Sequence, residues 1–174
     1  RVLEVGILGT HNVTKACVEL GINHLVFASS SEVYQEPKQI PTTEEENCRV
    51  PEITNPRLSY GGSKIAGELI VHNYLRNYNA SFTIFRPHNV YGPDMGYEHV
   101  IPEFIKRFKS LKGRSFKIQG TGNEIRSFIY IDDFINAFDL IMKRGKHLNI
   151  YNIGTSEKVK IKDLAIKIAK IKNR

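Results

Sequence analysis

Short apolar runs alternate with helical apolar stripes along this chain, and that alternation constrains the fold more than any other feature. Leu25-Val26-Phe27-Ala28 is a continuous apolar run that ends in serines. Such a run suits a strand buried on both faces of a parallel sheet. Phe82-Thr83-Ile84-Phe85, stopped by Pro87, reads as a second strand, and Phe128–Ile131 and Ile150–Ile153 as two more. Helical spacing separates them: Val13, Ala16, Cys17 and Leu20; Ile65, Leu69 and Ile70 on a helix running toward Tyr78; Ile101, Phe104, Ile105 and Phe108. Phe134, Ile135, Phe138, Ile141 and Met142 make a fourth inward face, with Asp132 or Asp133 as its cap. Ile161, Leu164, Ala165, Ile168 and Ile171 make a fifth. The pattern predicts an α/β fold with a mostly parallel sheet. The stretch from Gln35 to Ser59 has prolines, acids and no period, and its length marks it as functional or partly mobile. There is no internal repeat.

A chain of 174 residues can bury a core without disulfides or metals. Its formal charge of +7 invites a nucleic-acid or membrane reading, but the excess is local. Residues 1–142 hold 15 basic and 16 acidic residues, whereas residues 143–174 hold 10 and 2. The lysines of Lys158-Val-Lys-Ile-Lys-Asp alternate with apolar positions and read as a solvated face, so no nucleic-acid or membrane partner is expected. No apolar run approaches the ~18–20 residues of a membrane helix, and no signal peptide is visible. Cys17 and Cys48 have no metal-ligand spacing, so no metal is expected and a reducing, cytoplasmic setting is. Asn12-Val-Thr and Asn79-Ala-Ser are read as chance matches to a glycosylation pattern.

The strongest chemical signal is Tyr60-Gly-Gly-Ser-Lys64. Residues four apart share a helix face. A free phenol has a pKa of about 10, and a neighbouring ammonium favours the phenolate. The pair therefore reads as a general base for a substrate hydroxyl. Ser29-Ser30-Ser31-Glu32-Val33-Tyr34 follows directly on a buried strand, where ligands of open parallel sheets bind. Arg86-Pro-His-Asn-Val-Tyr-Gly-Pro93 closes the next strand, and Gly120-Thr-Gly-Asn-Glu-Ile-Arg126 ends another segment in a flexible turn and a cation. An arginine can fork onto phosphate oxygens.

In this order and spacing, these segments resemble the extended short-chain dehydrogenase/reductase family, and within it the NAD-dependent nucleotide-sugar epimerases and dehydratases. The resemblance runs from about Leu8 to Ile168. It implies the C-terminal part of a Rossmann-like doubly wound parallel sheet plus a smaller α/β substrate-binding portion. Residues 1–91, with 127–145 returning, would be the partial NAD-binding portion; 92–126 and 146–174 would bind the nucleotide sugar. It also implies NAD as cofactor, a nucleotide-diphosphate sugar as substrate, and a homodimer through the helices Gly9–Leu20 and Gly62–Tyr78.

By the same resemblance Ser30 is the catalytic hydroxyl, Tyr60 the catalytic tyrosine and Lys64 its partner, which also holds the nicotinamide ribose. Arg86, Pro87 and His88 form the strand end that backs the nicotinamide. Ser31 and Asn89 contact the substrate, Val100 and Ile101 start the nucleotide-binding segment, and Arg126 binds the diphosphate. Asp133 is read as a structural cap. The implied reaction oxidises a sugar hydroxyl, most often at C4, and re-reduces the keto sugar on its other face. Loss of water or carbon dioxide before product forms is the alternative. Relatives that dehydrate carry Asp-Glu where this chain has Ser31-Glu32, which counts against 4,6-dehydration. Glu32 is either a catalytic carboxylate or a strand-end residue. Gln35 stands where glycine is common and His88 where an aromatic residue is common.

Gly6-Ile-Leu-Gly9-Thr-His-Asn12 superficially resembles a phosphate-cradling glycine motif. It lies too close to Ser30 for the intervening β-α units, and reads instead as a helix start. The chain is therefore expected to be the back portion of a longer enzyme, inactive in isolation. A naturally short, non-catalytic remnant is the rival to that expectation, and a non-catalytic nucleotide-responsive binding protein is the alternative function of another class.

Overall fold

The computed structural model describes residues 1–113 and 115–171. In chain order its elements are a π-helical turn Glu4–Gly9 running into α1 Thr10–Glu19, β1 His24–Ala28, 3-10 turns Ser31–Tyr34 and Pro56–Leu58, α2 Ser59–Leu75, β2 Ser81–Pro87, β3 Val90–Tyr91, α3 Val100–Lys109, β4 Ile125–Arg126, β5 Ile129–Tyr130, α4 Ile131–Arg144, β6 Ile150–Ile153, β7 Val159–Lys160 and α5 Ile161–Ile171. Two compact units result: residues 1–88 with 134–153, and residues 89–133 with 154 onward. No helix among the described residues is long and apolar enough to cross a membrane.

The first unit is built on a parallel sheet of order β1-β2-β6. The central strand β2 buries five consecutive residues, Phe82 to Arg86, as the two-faced apolar run implies. Val71 and Leu75 of α2 pack on Phe82 and Ile84, with Leu25, Phe27 and Ile150 around them. Each such side chain contributes ~1.5–3 kcal/mol on burial. The buried residues of α2 include Ser63, Gly67, Val71 and Leu75, one face at four-residue spacing. Gly67 is required there: a Cβ would lie 2.6 Å from Cζ of Phe27 on β1.

Where the helix meets the sheet sits a buried ion pair. Arg86 of β2 donates from Nε to Glu68 Oε1 at 2.9 Å and from Nη2 to Glu68 Oε2 at 2.6 Å. Arg86 Nη1 also donates to the Tyr34 hydroxyl at 2.7 Å, and Nη2 to Cys48 Sγ at 3.3 Å. Ser29 donates to Glu68 Oε1. Burial alone would lower the pKa of Arg86; the hydrogen bonds and charge of Glu68, with the bond to Tyr34, outweigh it and raise it. The Gln35–Ser59 stretch is tethered by this cluster and by β6. The Asn152 amide donates to Glu44 Oε1 at 2.8 Å, and Asn152 Nδ2 to Thr42 O at 3.1 Å.

The second unit has its own core: Phe104 and Phe108 of α3 against Val159, Leu164, Ala165 and Ile168. Phe116 stacks on Phe108 with ring centroids 3.8 Å apart. Two short ladders complete it, β3–β5 parallel and β4–β7 antiparallel. The lysines of α5 lie on its exposed face, as expected.

Several expectations are corrected. β6 hydrogen-bonds to β2 and so belongs to the first unit, while β5 pairs with β3 in the second. The boundaries are therefore not those of 1–91 with 127–145 and 92–126 with 146–174. α4 starts at Ile131, which puts Asp132 and Asp133 inside its first turn, favourable to the helix dipole, rather than at a cap. Phe134, Phe138 and Ile141 face inward, but Ile135 and Met142 are exposed. β2 extends through Pro87 because that residue pairs with Ile153.

Removing one partner of a buried ion pair costs far more than removing one at the surface. Glu68→Ala is expected to destabilise the protein by ~3–5 kcal/mol in urea denaturation. Lys143→Ala, at the exposed Lys143–Asp139 pair, is expected to cost under ~1 kcal/mol. Equal costs would contradict this account of the core.

Candidate active site

The carboxyl ends of β1 and β2 carry the candidate residues. Past β1 the amide of Ser29 still donates to Phe85 O at 2.9 Å, so the chain leaves the strand in register. Ser29 and Ser30 are buried. Ser30 then caps the Ser31–Tyr34 turn, its Oγ accepting from the Glu32 amide at 3.2 Å. This turn ends at Gln35 with φ +53° and ψ −102°, a conformation that favours glycine. A glutamine there costs ~1–3 kcal/mol, partly offset by its Nε2 donating to Glu32 O at 2.7 Å.

The first turn of α2 closes on the same turn. A Cβ on Gly61 would sit 3.0 Å from the Glu32 carbonyl oxygen, so glycine permits the approach. The approach brings Tyr60, 41% exposed, beside Ser30 and Glu32. The Ser30 side chain is the one influence here that favours the Tyr60 phenolate. Burial first, and the Glu32 charge second, push the phenol above its ordinary value of about 10. Burial also pushes the Glu32 carboxyl up and the Lys64 ammonium down.

Lys64 lies one turn along α2. Its Nζ is 5.5 Å from the centroid of the Tyr60 ring and 5.4 Å from that of Phe27, and donates to Ala28 O at 2.8 Å. The ammonium thus stands near the phenol but is held by a backbone carbonyl. The Tyr60 pKa is raised rather than lowered as expected, because burial and the Glu32 charge outweigh what favours the phenolate.

The structure places Ser30, Ser31, Glu32, Tyr60, Lys64, Pro87 and His88 in the first unit. The guanidinium of Arg86 is turned into the buried Glu68 cluster. Its side chain positions the strand end and is not presented to a ligand. Ser31 Oγ and His88 Nδ1 are 2.7 Å apart, a pairing invisible in the sequence because 57 residues separate them.

In the second unit a cavity of about 320 Å³ is lined by Asn89, Val100 and Arg126, together with Glu103, Phe104 and Arg107. Ile101 is not among the lining residues; like Val100 it packs against the Phe104–Phe108 core. Arg107 went unpredicted. Its guanidinium lies 4.4 Å from the Phe116 centroid and donates to Glu103 Oε1 at 3.0 Å. The signal for it was the i, i+4 Glu103–Arg107 spacing on an amphipathic helix. Among the described residues no cluster of His, Cys, Asp or Glu could hold a metal ion.

Residues 1–154 match the family described as NAD dependent epimerase/dehydratase. A dTDP-D-glucose 4,6-dehydratase of Dictyostelium discoideum is 33% identical over 173 residues, which are 97% of this chain and 39% of that protein. The UDP-glucose 4-epimerase of Thermotoga maritima, solved with UDP-glucose, superposes with a TM-score of 0.86 at 26% identity, covering 98% of this chain and 54% of that one. A dTDP-glucose 4,6-dehydratase of Streptomyces venezuelae, solved with NAD bound, gives 0.84 at 25% identity, covering 98% and 51%. The chain spans less than half the length of that curated relative and about half of those structures.

Carbon-13 NMR of labelled tyrosine is expected to place the Tyr60 titration above ~10, and Glu32→Gln to lower it by removing the opposing carboxylate. A midpoint below 10, or one insensitive to Glu32→Gln, would contradict the electrostatic account.

Proposed function

The chain belongs to the NAD dependent epimerase/dehydratase family, and from that premise we propose that the full-length protein oxidises and re-reduces the sugar of a nucleotide-diphosphate sugar. The observation that carries the reading is the convergence of Ser30, Tyr60 and Lys64 at the carboxyl edge of a parallel sheet. Tyr60 takes the proton of a sugar hydroxyl, most often at C4, and Ser30, beside the phenol, aligns that hydroxyl. NAD, when bound, would supply the hydride acceptor, with Tyr60 and Lys64 holding its ribose end.

The residues present fit the nicotinamide-ribose end of that cofactor. Tyr60 and Lys64 offer a hydroxyl and an ammonium from one helix face, and Pro87 and His88 a half-buried strand end. The Gly6–Gly9 segment does not fit the phosphate end: it is helical, with the Thr10 hydroxyl donating to Gly6 O at 2.8 Å. In the second unit Arg126 and Arg107 can fork onto a diphosphate, with Asn89 and Val100 beside it. α1 and α2 pack together and leave Val13, Leu69 and Tyr74 exposed, which supports a homodimer through these helices.

Two outcomes branch from the keto sugar. Epimerisation re-reduces the other face with no further group. Dehydration needs a base for a C–H beside the carbonyl and an acid for the departing hydroxyl. Likeness to the 4,6-dehydratases favours this second reading, and Glu32, beside Tyr60 and made more basic by burial, supports a base.

With UDP-glucose or dTDP-glucose, Tyr60→Phe in the full-length protein is expected to slow reduction of NAD at least ~100-fold, followed by absorbance of the reduced nicotinamide. Full activity in that variant would sink the assignment. Product mass separates the branches, since only dehydration loses water.

A further inference from the structure

The register of the sheet brings together two residues that no motif pairs. β1 and β2 run parallel with Ala28 opposite Phe85. Ser31 and His88 each lie three residues beyond that level, so both emerge at the same carboxyl edge. There Ser31 Oγ and His88 Nδ1 meet at 2.7 Å, partly buried. Ser31 also stands between Ser30, which contacts Tyr60, and Glu32.

Imidazole is the side chain whose ordinary titration falls near neutral pH. When the ring is neutral at Nδ1, the Ser31 hydroxyl donates to it. When the ring is protonated, Nδ1–H donates to Ser31 Oγ, and the hydroxyl proton is turned outward to another acceptor. The hydrogen bond therefore has two directions, chosen by one proton.

We propose that the Ser31–His88 pair is a proton donor to a sugar hydroxyl oxygen, which equips this site to eliminate water from the oxidised sugar. The inference rests on the redox reading above and decides its branch. As Glu32 takes the proton from the carbon beside the carbonyl, that electron pair forms the C=C bond. The C–O bond one carbon further breaks. The departing oxygen takes the Ser31 proton and leaves as water. The Nδ1 proton of His88 replaces the one Ser31 gave. Glu32 gains one proton, His88 loses one, and no electrons leave the substrate. His88 acts through Ser31 and is a positioning residue with a proton to give.

The charged and titratable groups of the surrounding elements are Glu32 and Tyr34 on the turn, Tyr60 and Lys64 on α2, and Arg86 on β2. On β6 the Tyr151 hydroxyl accepts from the Lys146 amide. Arg86 donates to Glu68 and to the Tyr34 hydroxyl, which in turn donates to Asn152. Glu32 and Lys64, of opposite sign, are among the charged groups of these elements.

The test uses the full-length protein with NAD and either dTDP-glucose or UDP-glucose. Water lost per NAD reduced is read by product mass and nicotinamide absorbance, across pH. His88→Asn is expected to cut that ratio at least ~100-fold and to abolish the fall in dehydration as pH rises through the imidazole range. Ser31→Ala, a smaller change, is expected to act alike, and the double variant to be no worse than either single one. An unchanged ratio and pH profile in both single variants overturns the proposal. So does a wild-type product that keeps the mass of its substrate while NAD is reduced. A wild-type protein that reduces no NAD with either sugar overturns the redox reading and this inference with it.

Discussion

The Glu68–Arg86 ion pair is the constraint on which the rest of the first unit depends. Burying two charges is expensive unless their hydrogen-bonding groups are satisfied. Here Nε, Nη1 and Nη2 of Arg86 all donate, and both Glu68 oxygens accept. The partners come from separate parts of the chain: Glu68 from α2, Arg86 from β2, Ser29 from the end of β1, Tyr34 from the turn and Cys48 from the long connecting stretch. Tyr34 passes the network to β6, its hydroxyl donating to Asn152 Oδ1 at 2.8 Å. Every candidate catalytic residue is a short step from this network. Ser30 follows Ser29, Lys64 and Tyr60 lie one and two turns before Glu68, and His88 lies two residues beyond Arg86.

Above that network, burial acts on the site in one direction. It raises Glu32 and Tyr60 and lowers Lys64, so each group is pushed toward its neutral form. Ser30 alone is resolved as opposing this at Tyr60. A site so biased gains most from a charge that arrives with its ligand. Under the proposed function, that charge would come with the cofactor.

Much of this was legible in the sequence. The two-faced apolar runs gave the parallel strands, and four-residue spacing put Tyr60 and Lys64 on one helix face. What escaped depends on contacts between distant segments or on the phase of a helix. The Lys64 bond to Ala28 O crosses 36 residues, and the Ser31–His88 pair 57. Val100 and Ile101 both pack on the Phe104–Phe108 core, and only Val100 also lines the cavity. Arg86 carried a motif, but the motif could not say that its guanidinium faces Glu68. Gln35 was an unexplained departure from glycine until its positive φ showed what glycine would relieve.

The central claim is that Tyr60 and its neighbours run an internal redox cycle on a sugar. Full-length protein supplied with dTDP-glucose or UDP-glucose carrying deuterium at sugar C4 tests it most directly. The account predicts that deuterium slows the reduction of NAD and that the label reappears on carbon in the product. Turnover with no isotope effect, or with the label lost to solvent, would contradict it.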